Sequence, residues 1–313
     1  MSLTIGIDVG GTKVAAGVVD ERGKVVEKLR RPTPSSDPVQ TVNTIGEVVT
    51  ELCSRHVVDA VGLGVAGFVD EARACVGFAP NLGWRDVPVK KAVEDRLGIP
   101  VLVENDANAT VWAETRFGAA RGEGCVILLT VGTGIGCGIV IGGELYRGQW
   151  GMGGEPGHYR VVPDGRMCGC GNRGCWEQYA SGNALMAEAR EFARRSPEAA
   201  TRLLQLGRGR PEGISGPEIT RAAAEGDPAA LRCFEIVGSW LGDGMADLAA
   251  ILDPGCFVIG GGVSEAGGLL LDPARTSFEN SLPGRGHRVP ARILLAELGP
   301  DAGFVGAADL ARR

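Results

Sequence analysis

Between Glu155 and Glu177 the chain carries one imidazole and three thiols, at His158, Cys168, Cys170 and Cys175, in a glycine-rich stretch. Structural zinc takes four nitrogen or sulfur ligands in a tetrahedron, and three cysteines with one histidine is a usual set. One segment therefore offers a complete ligand complement for one ion. Alternatives are a thiol redox cluster, or a site completed by His56 or His287. Against the first, no Cys-x-x-Cys pair occurs; against the second, His158 is the histidine of the same region, and His56 and His287 stand among polar residues as solvated side chains do. The ion would need neither Glu155 nor Glu177, yet a metal that fixed the loop would fix both carboxylates.

A second chemistry is spread along the chain in glycine turns. Asp8-Val9-Gly10-Gly11-Thr12-Lys13 follows a short apolar run. Backbone N–H groups in such a turn can approach a phosphate, Thr12 adds a hydroxyl, and Asp8 can orient Mg²⁺ or its waters. An ordinary glycine hairpin would have the same composition. The spacing is neither that of a P-loop nor that of a dinucleotide fingerprint. Gly132-Thr133-Gly134-Ile135-Gly136 repeats the theme, followed by apolar residues at strand spacing, and Gly260-Gly261-Gly262 is a third glycine turn ahead of a helix. Asp106 closes an apolar run beside Asn105. Moving a phosphoryl group to an alcohol requires an acceptor for the hydroxyl proton, and one carboxylate suffices. A helix N-cap is the competing reading for Asp106.

These residues need strands that end in turns. Leu3–Val9 and Val14–Val19 read as a hairpin, 60–66 and 101–103 as further strands, and 39–56 and 88–97 as helices. The second half begins as a near repeat, with strand runs at 125–131 and 139–141. Long helical segments follow at 183–206 and 217–251, then a strand at 256–259. The expected division is a small α/β domain of residues 1–108 plus 299–313, with the last helix packing back on it, and a large α/β domain of 109–298 holding the zinc loop.

Composition bounds the rest. With 313 residues, 44% hydrophobic and 22% charged, the chain is long enough for about two domains, and no apolar run approaches a membrane span. A formal charge of −6 without a dense basic block gives no footprint for nucleic acid or an anionic membrane. The N-terminus lacks signal-peptide features. The nine cysteines include six scattered ones, Cys53, Cys75, Cys125, Cys137, Cys233 and Cys256, which read as reduced core residues. A cytoplasmic location is expected.

Asp8-Val-Gly-Gly-Thr-Lys13, Glu104-Asn-Asp-Ala-Asn-Ala109, Gly132-Thr-Gly-Ile-Gly136, Gly154-Glu-Pro-Gly-His158 and Cys168-Gly-Cys-Gly-Asn-Arg-Gly-Cys175-Trp-Glu177 together resemble the ROK family, and within it the bacterial glucokinases. The resemblance implies the two-domain actin-like ATPase/sugar kinase (ribonuclease H-like) fold with an interdomain cleft. It implies ATP-dependent phosphorylation of glucose at the 6-hydroxyl, with Asp106 as general base. Gly67, Asn81, Asn105, Asp106, Glu155, His158 and Glu177 would bind the sugar. Asp8, Gly10, Gly11, Thr12, Lys13, Thr133, Gly134, Gly261 and Gly262 would surround Mg²⁺-ATP. His158, Cys168, Cys170 and Cys175 would hold structural Zn²⁺, and a homo-oligomer, dimer or tetramer, is implied.

Three positions depart from the family pattern. Pro156 stands where an aliphatic residue is common, Ala66 replaces a proline, and Cys137 interrupts the second glycine run. Pro156 fixes a backbone angle between Glu155 and His158 and is where sugar preference could shift. The alternatives carried forward are a kinase for another hexose or an N-acetylhexosamine, a ROK-type transcriptional regulator, and a non-catalytic sugar sensor. A regulator would need a DNA-binding domain ahead of the first hairpin, where about residue 3 leaves no room; a sensor would be expected to lack Asp106 or a hairpin.

Overall fold

The computed structural model describes residues 2–34 and 37–313. Strands β1 (Leu3–Val9) and β2 (Lys13–Asp20) form the expected hairpin, and β3 (Val25–Pro32) extends it antiparallel. Helix α1 (Pro38–Cys53) leads to β4 (Ala60–Val65), which pairs parallel with β1. Three short strands, β5 (Phe68–Val69), β6 (Val76–Ala79) and β7 (Trp84–Val87), make a small antiparallel sheet; α2 (Val89–Leu97), β8 (Val101–Asn105) and α3 (Asp106–Arg116) follow. The first large sheet has the order β3-β2-β1-β4-β8.

The pattern then recurs. Strands β9 (Cys125–Val131), β10 (Ile135–Ile141) and β11 (Glu144–Tyr146) are followed by helices α4 (Glu177–Ala180), α5 (Gly182–Arg195), α6 (Thr201–Leu206), α7 (Gly216–Ala224) and α8 (Pro228–Leu252). Strand β12 (Cys256–Gly260), helix α9 (Gly268–Ser281), strand β13 (Arg292–Leu295) and helix α10 (Ala302–Leu310) complete the chain. The second large sheet, β11-β10-β9-β12-β13, repeats the order of the first.

Helix α10 lies directly on the first sheet because three glycines make room for it. Gly17, Gly6 and Gly62 are register partners on neighbouring strands β2, β1 and β4. A Cβ on Gly6 would come within 1.7 Å of the Phe304 carbonyl oxygen, and one on Gly62 within 1.8 Å of that of Ala307. The helix backbone thus rests in a groove that any side chain would fill. Phe304, Val305 and Ala308 pack there with Ala15, Val19 and Ala113, while Ile5, Ile7, Val9, Leu63 and Val103 enter the main core.

By backbone packing the chain forms two compact units, each discontinuous: residues 1–128, 137–154 and 296–313, and residues 129–136 and 155–295. The sequence-based division had placed 109–128 and 137–154 with the second domain. The first of these packs with α10 and the segment before it, where the Trp112 indole donates to Asp309 at 2.9 Å and the Glu114 carboxylate accepts from the backbone of Glu297 and Leu298; the second is tied through Arg147 to Glu104 and to the carbonyls of Asp70 and Glu71.

Both long helical segments are broken. The stretch 183–206 divides into α5 and α6 where Pro197 disfavours helix at Ser196. The stretch 217–251 divides into α7 and α8: Gly226 takes φ 86°, and Asp227 caps α8 by accepting from the Ala230 N–H. Strands β3, β5 to β7, β11 and β13 have too weak a period to be read from sequence, and the helix expected after the third glycine turn is α9. His56 departs from the solvated expectation, with its Nε2 at 2.7 Å from Glu27.

Candidate active site and metal cluster

In the first unit the sequence-singled residues gather at the C-terminal ends of β1, β4 and β8. Asp8 is register partner of Gly64, and Gly64 of Glu104, so a glycine separates Asp8 from the strand that leads into Asp106. Gly10 and Gly11 turn the β1–β2 hairpin, whose Gly10 N–H donates to the Lys13 carbonyl at 3.0 Å, and Thr12 and Lys13 are exposed at its tip. A Cβ on Gly11 would lie 3.3 Å from the Cβ of Asn81, which brings the exposed turn containing Asn81 against the hairpin.

Asn105, not Asp106, caps α3. Its Oδ1 accepts from the N–H groups of Ala107 and Asn108, and its Nδ2 donates to the Gly67 carbonyl at 3.2 Å. That leaves one Nδ2 hydrogen for a ligand. Asp106 is the first helical residue, with one oxygen accepting the Ala107 N–H at 2.9 Å. Burial pushes its carboxyl above the usual range, opposed by hydrogen bonds from the Ala107 and Asp106 N–H groups. Asp8 is pushed up to about 7, chiefly by burial and then by the charge of Asp106, against the pull of Lys13. Two carboxylates held in mutual repulsion at a strand end are a donor set suited to a divalent cation.

Glu104 is a functional candidate that the motif alone did not single out. It is fully buried, at 2.8 Å from the Arg147 guanidinium and 3.2 Å from that of Arg73. It also accepts from the Asn105 N–H and from Asn108 Nδ2. Arg147 in turn donates to the carbonyls of Asp70 and Glu71. The group sets the direction in which β8 delivers Asn105 and Asp106. An acid ending the apolar run Val101-Leu102-Val103 was the signal that could have exposed it.

In the second unit, ligand atoms of His158, Cys168, Cys170 and Cys175 all lie within 4.8 Å of one another. Cys168 Sγ is 3.6 Å from His158 Nδ1, and Cys170 and Cys175 are 3.6 Å apart. One nitrogen and three sulfurs at this spacing fit a tetrahedral zinc ion, and His158 presents Nδ1 to the cluster, which leaves Nε2 for another partner. The loop is closed by its own backbone: Cys168 N–H donates to Asn172, and Gly174 N–H to Arg166. Glu155 and His158 bracket a single turn in which the His158 N–H donates to the Glu155 carbonyl, with Pro156 as its first residue.

Glu177 opens α4 beside the cluster. Its Oε1 accepts from the Cys168 thiol at 3.0 Å and lies 3.7 Å from His158 Nδ1. The Thr133–Gly134 turn adjoins it, since a Cβ on Gly134 would come within 2.4 Å of Glu177 Oε2. Gly261, at φ 85°, lies against the Val131 backbone, and the Val263 N–H donates to the Val131 carbonyl. Gly262, which follows it, has open space beside it. The second glycine hairpin and the third glycine turn are thus neighbours within one unit. Among the described residues no helix is long and apolar enough to cross a membrane.

The model of the ROK family matches residues 4–313. A protein of Streptomyces coelicolor named glucokinase is 50% identical over 312 residues, which cover 100% of this chain and 98% of that protein. The crystal structure of a ROK family glucokinase from Streptomyces griseus in complex with glucose and AMPPNP superposes with TM-score 0.89 and 53% identity, over 99% of each chain. That of a ROK hexokinase from Thermus thermophilus gives TM-score 0.80 and 35% identity, over 99% of this chain and 98% of that one.

Proposed function

This chain belongs to the ROK family, and from that premise we propose that it transfers the γ-phosphoryl group of ATP to the 6-hydroxyl of glucose. The observation that carries the reading is the convergence, at one edge of the first unit, of a carboxylate that can accept a proton, a helix-capping asparagine and a glycine hairpin.

In this reading Asp106 takes the proton of the 6-hydroxyl as the oxygen attacks phosphorus. Its raised proton affinity makes it a stronger base than an ordinary carboxylate. The remaining Nδ2 hydrogen of Asn105, the side chain of Asn81 and the backbone at Gly67 hold ring hydroxyls and so orient the attacking oxygen. In the second unit Glu155, Glu177 and His158 Nε2 supply further sugar contacts. As the family resemblance implies, Gly10, Gly11, Thr12, Lys13, Thr133, Gly134, Gly261 and Gly262 contact the nucleotide. Asp8 would hold a magnesium ion or its waters, which neutralises phosphate charge during transfer. His158, Cys168, Cys170 and Cys175 would hold a zinc ion that braces their loop and takes no part in the chemistry.

The enzyme acts in the cytoplasm as a homo-oligomer. A coupled assay with glucose, mannose, fructose, N-acetylglucosamine and N-acetylmannosamine, with ATP as donor, tests the reading. Glucose should give the highest kcat/KM. A rate for an N-acetylhexosamine equal to or above that for glucose would reassign the substrate, and absence of turnover with every sugar would point to a sensor.

A further inference from the structure

The Glu177 carboxylate touches two parts of the second unit that the proposed function treats separately. One oxygen lies among the metal-ligating side chains, 3.0 Å from Cys168 Sγ and 3.7 Å from His158 Nδ1. The other occupies the space beside Gly134, so close that a Cβ there would meet it at 2.4 Å. The segment that carries Glu177 is rigidly seated. Its neighbour Trp176 is fully buried and donates to the Trp240 carbonyl at 2.7 Å, and Tyr179 packs on the Trp240 ring.

A second tie runs in parallel. The chain passes from Cys175 through α4 to Gly182, whose N–H donates to the Gly132 carbonyl at 2.7 Å. Gly182 also presses on the hairpin, since a Cβ there would come within 2.7 Å of the same oxygen. A direct route of short covalent and hydrogen-bonded links therefore joins the metal ligand Cys175 to the turn at 132–134. Gly157 adds a third contact, its Cβ position lying 2.4 Å from the carbonyl oxygen of Ile135, which starts the strand after the turn.

We propose that Glu177 couples the metal cluster to the glycine hairpin, so that zinc in the cluster tightens nucleotide binding even when no sugar is present. This rests on the reading of residues 132–134 as a nucleotide element. Holding the four ligands on one ion orders the loop and α4, and the carboxylate then buttresses the hairpin in one arrangement. The freedom that the hairpin would otherwise lose on binding phosphate is removed beforehand. Glu177 is a positioning residue toward the nucleotide, whatever it contacts on the sugar.

The test is calorimetric titration with Mg²⁺-AMPPNP in the absence of sugar. The full-length protein is titrated zinc-loaded, after chelation, and after zinc is restored; zinc-loaded and chelated Glu177→Ala are titrated alongside, with metal content and far-UV circular dichroism recorded for each. Chelation of the parent should weaken AMPPNP at least about fivefold, the lower end of typical coupling between sites, and zinc should restore it. Zinc-loaded Glu177→Ala should be weakened to a similar extent, an arm that needs no metal-free protein. Chelation should then change its affinity by less than about twofold, because the coupling has already been removed. The proposal is overturned if the folded, chelated parent binds AMPPNP as the loaded protein does. It is equally overturned if zinc-loaded Glu177→Ala matches the parent, or if that variant keeps the full chelation effect. A zinc-loaded parent that does not bind AMPPNP at all would instead remove the proposed function, and this inference with it.

Discussion

Replacing Asp106 by asparagine separates its chemical role from its place in the helix. The asparagine side chain has the same size and keeps an oxygen for the Ala107 N–H, which Asp106 accepts at 2.9 Å. The helix start is also secured independently by Asn105. The folded structure should therefore survive, and only proton acceptance is lost. General base catalysis contributes about 10²- to 10⁴-fold, so kcat should fall by that factor, equivalent to about 3–5 kcal/mol of transition-state stabilisation. The KM for glucose should stay within about threefold, because an interaction made only in the transition state is what has been removed. Stability should move the other way. Burial raises the Asp106 pKa above its unfolded value, so the parent is progressively less stable as pH rises through the folded pKa. Asp106→Asn should then be the more stable protein at pH 8, with the difference shrinking toward pH 4. Steady-state kinetics and thermal unfolding at the two pH values read both effects. A kcat within tenfold of the parent would refute the base assignment, and lower stability at pH 8 would refute the argument from burial.

Three further outcomes are expected. With Asp8 pushed up to about 7 and Asp106 raised by burial as well, the charged forms of both are lost as pH falls, so kcat/KM should decline below about pH 7, well above the ordinary carboxylate range, and Asp8→Asn should lose most activity and leave only the limb that belongs to Asp106; a limb centred near pH 4 would contradict the burial. Cys170→Ser should leave less than stoichiometric zinc by elemental analysis and weaken glucose in a direct titration, since His158 belongs to the cluster, Glu177 touches it and the Glu155 carbonyl accepts from the His158 N–H; full zinc retention would reassign the ligands. Gly62→Ala places a Cβ 1.8 Å from the Ala307 carbonyl oxygen, so α10 must lift from the sheet and the protein should lose about 3 kcal/mol or more in denaturant unfolding; unchanged stability would show that α10 does not need the glycine groove.

The glycine hairpins were legible because a turn is a local event. The residues that form Gly10-Gly11 and Gly132-Thr133-Gly134 are adjacent in the chain, and each hairpin is flanked by apolar strand runs. The metal cluster was legible for the same reason, since its four ligands fall in one short loop. Helix breaks were less so. Pro197 and the pair Gly226-Asp227 were visible as residues, but the apolar period on either side hid the interruption. The role of Glu104, though it opens a motif, was not legible because its partners, Arg73 and Arg147, are far away in sequence.

Taken alone, the order of residues determined the family, the fold class and the candidate chemical groups, all carried by short-range patterns of glycine, cysteine and acid. Tertiary structure decided which of those groups have spare hydrogen-bonding capacity. Asn105 is largely committed to capping α3 and to Gly67, and the proton affinity of Asp8 depends on burial and on Asp106, from another strand end. It also decided what must be glycine. Gly6 and Gly62 are needed because the backbone of α10, far along the chain, passes where their side chains would be, and Gly17 because the Phe304 ring of that helix does. The physical reason is the same throughout: bonding capacity, desolvation and steric exclusion belong to groups in contact, and only the folded chain brings distant residues into contact.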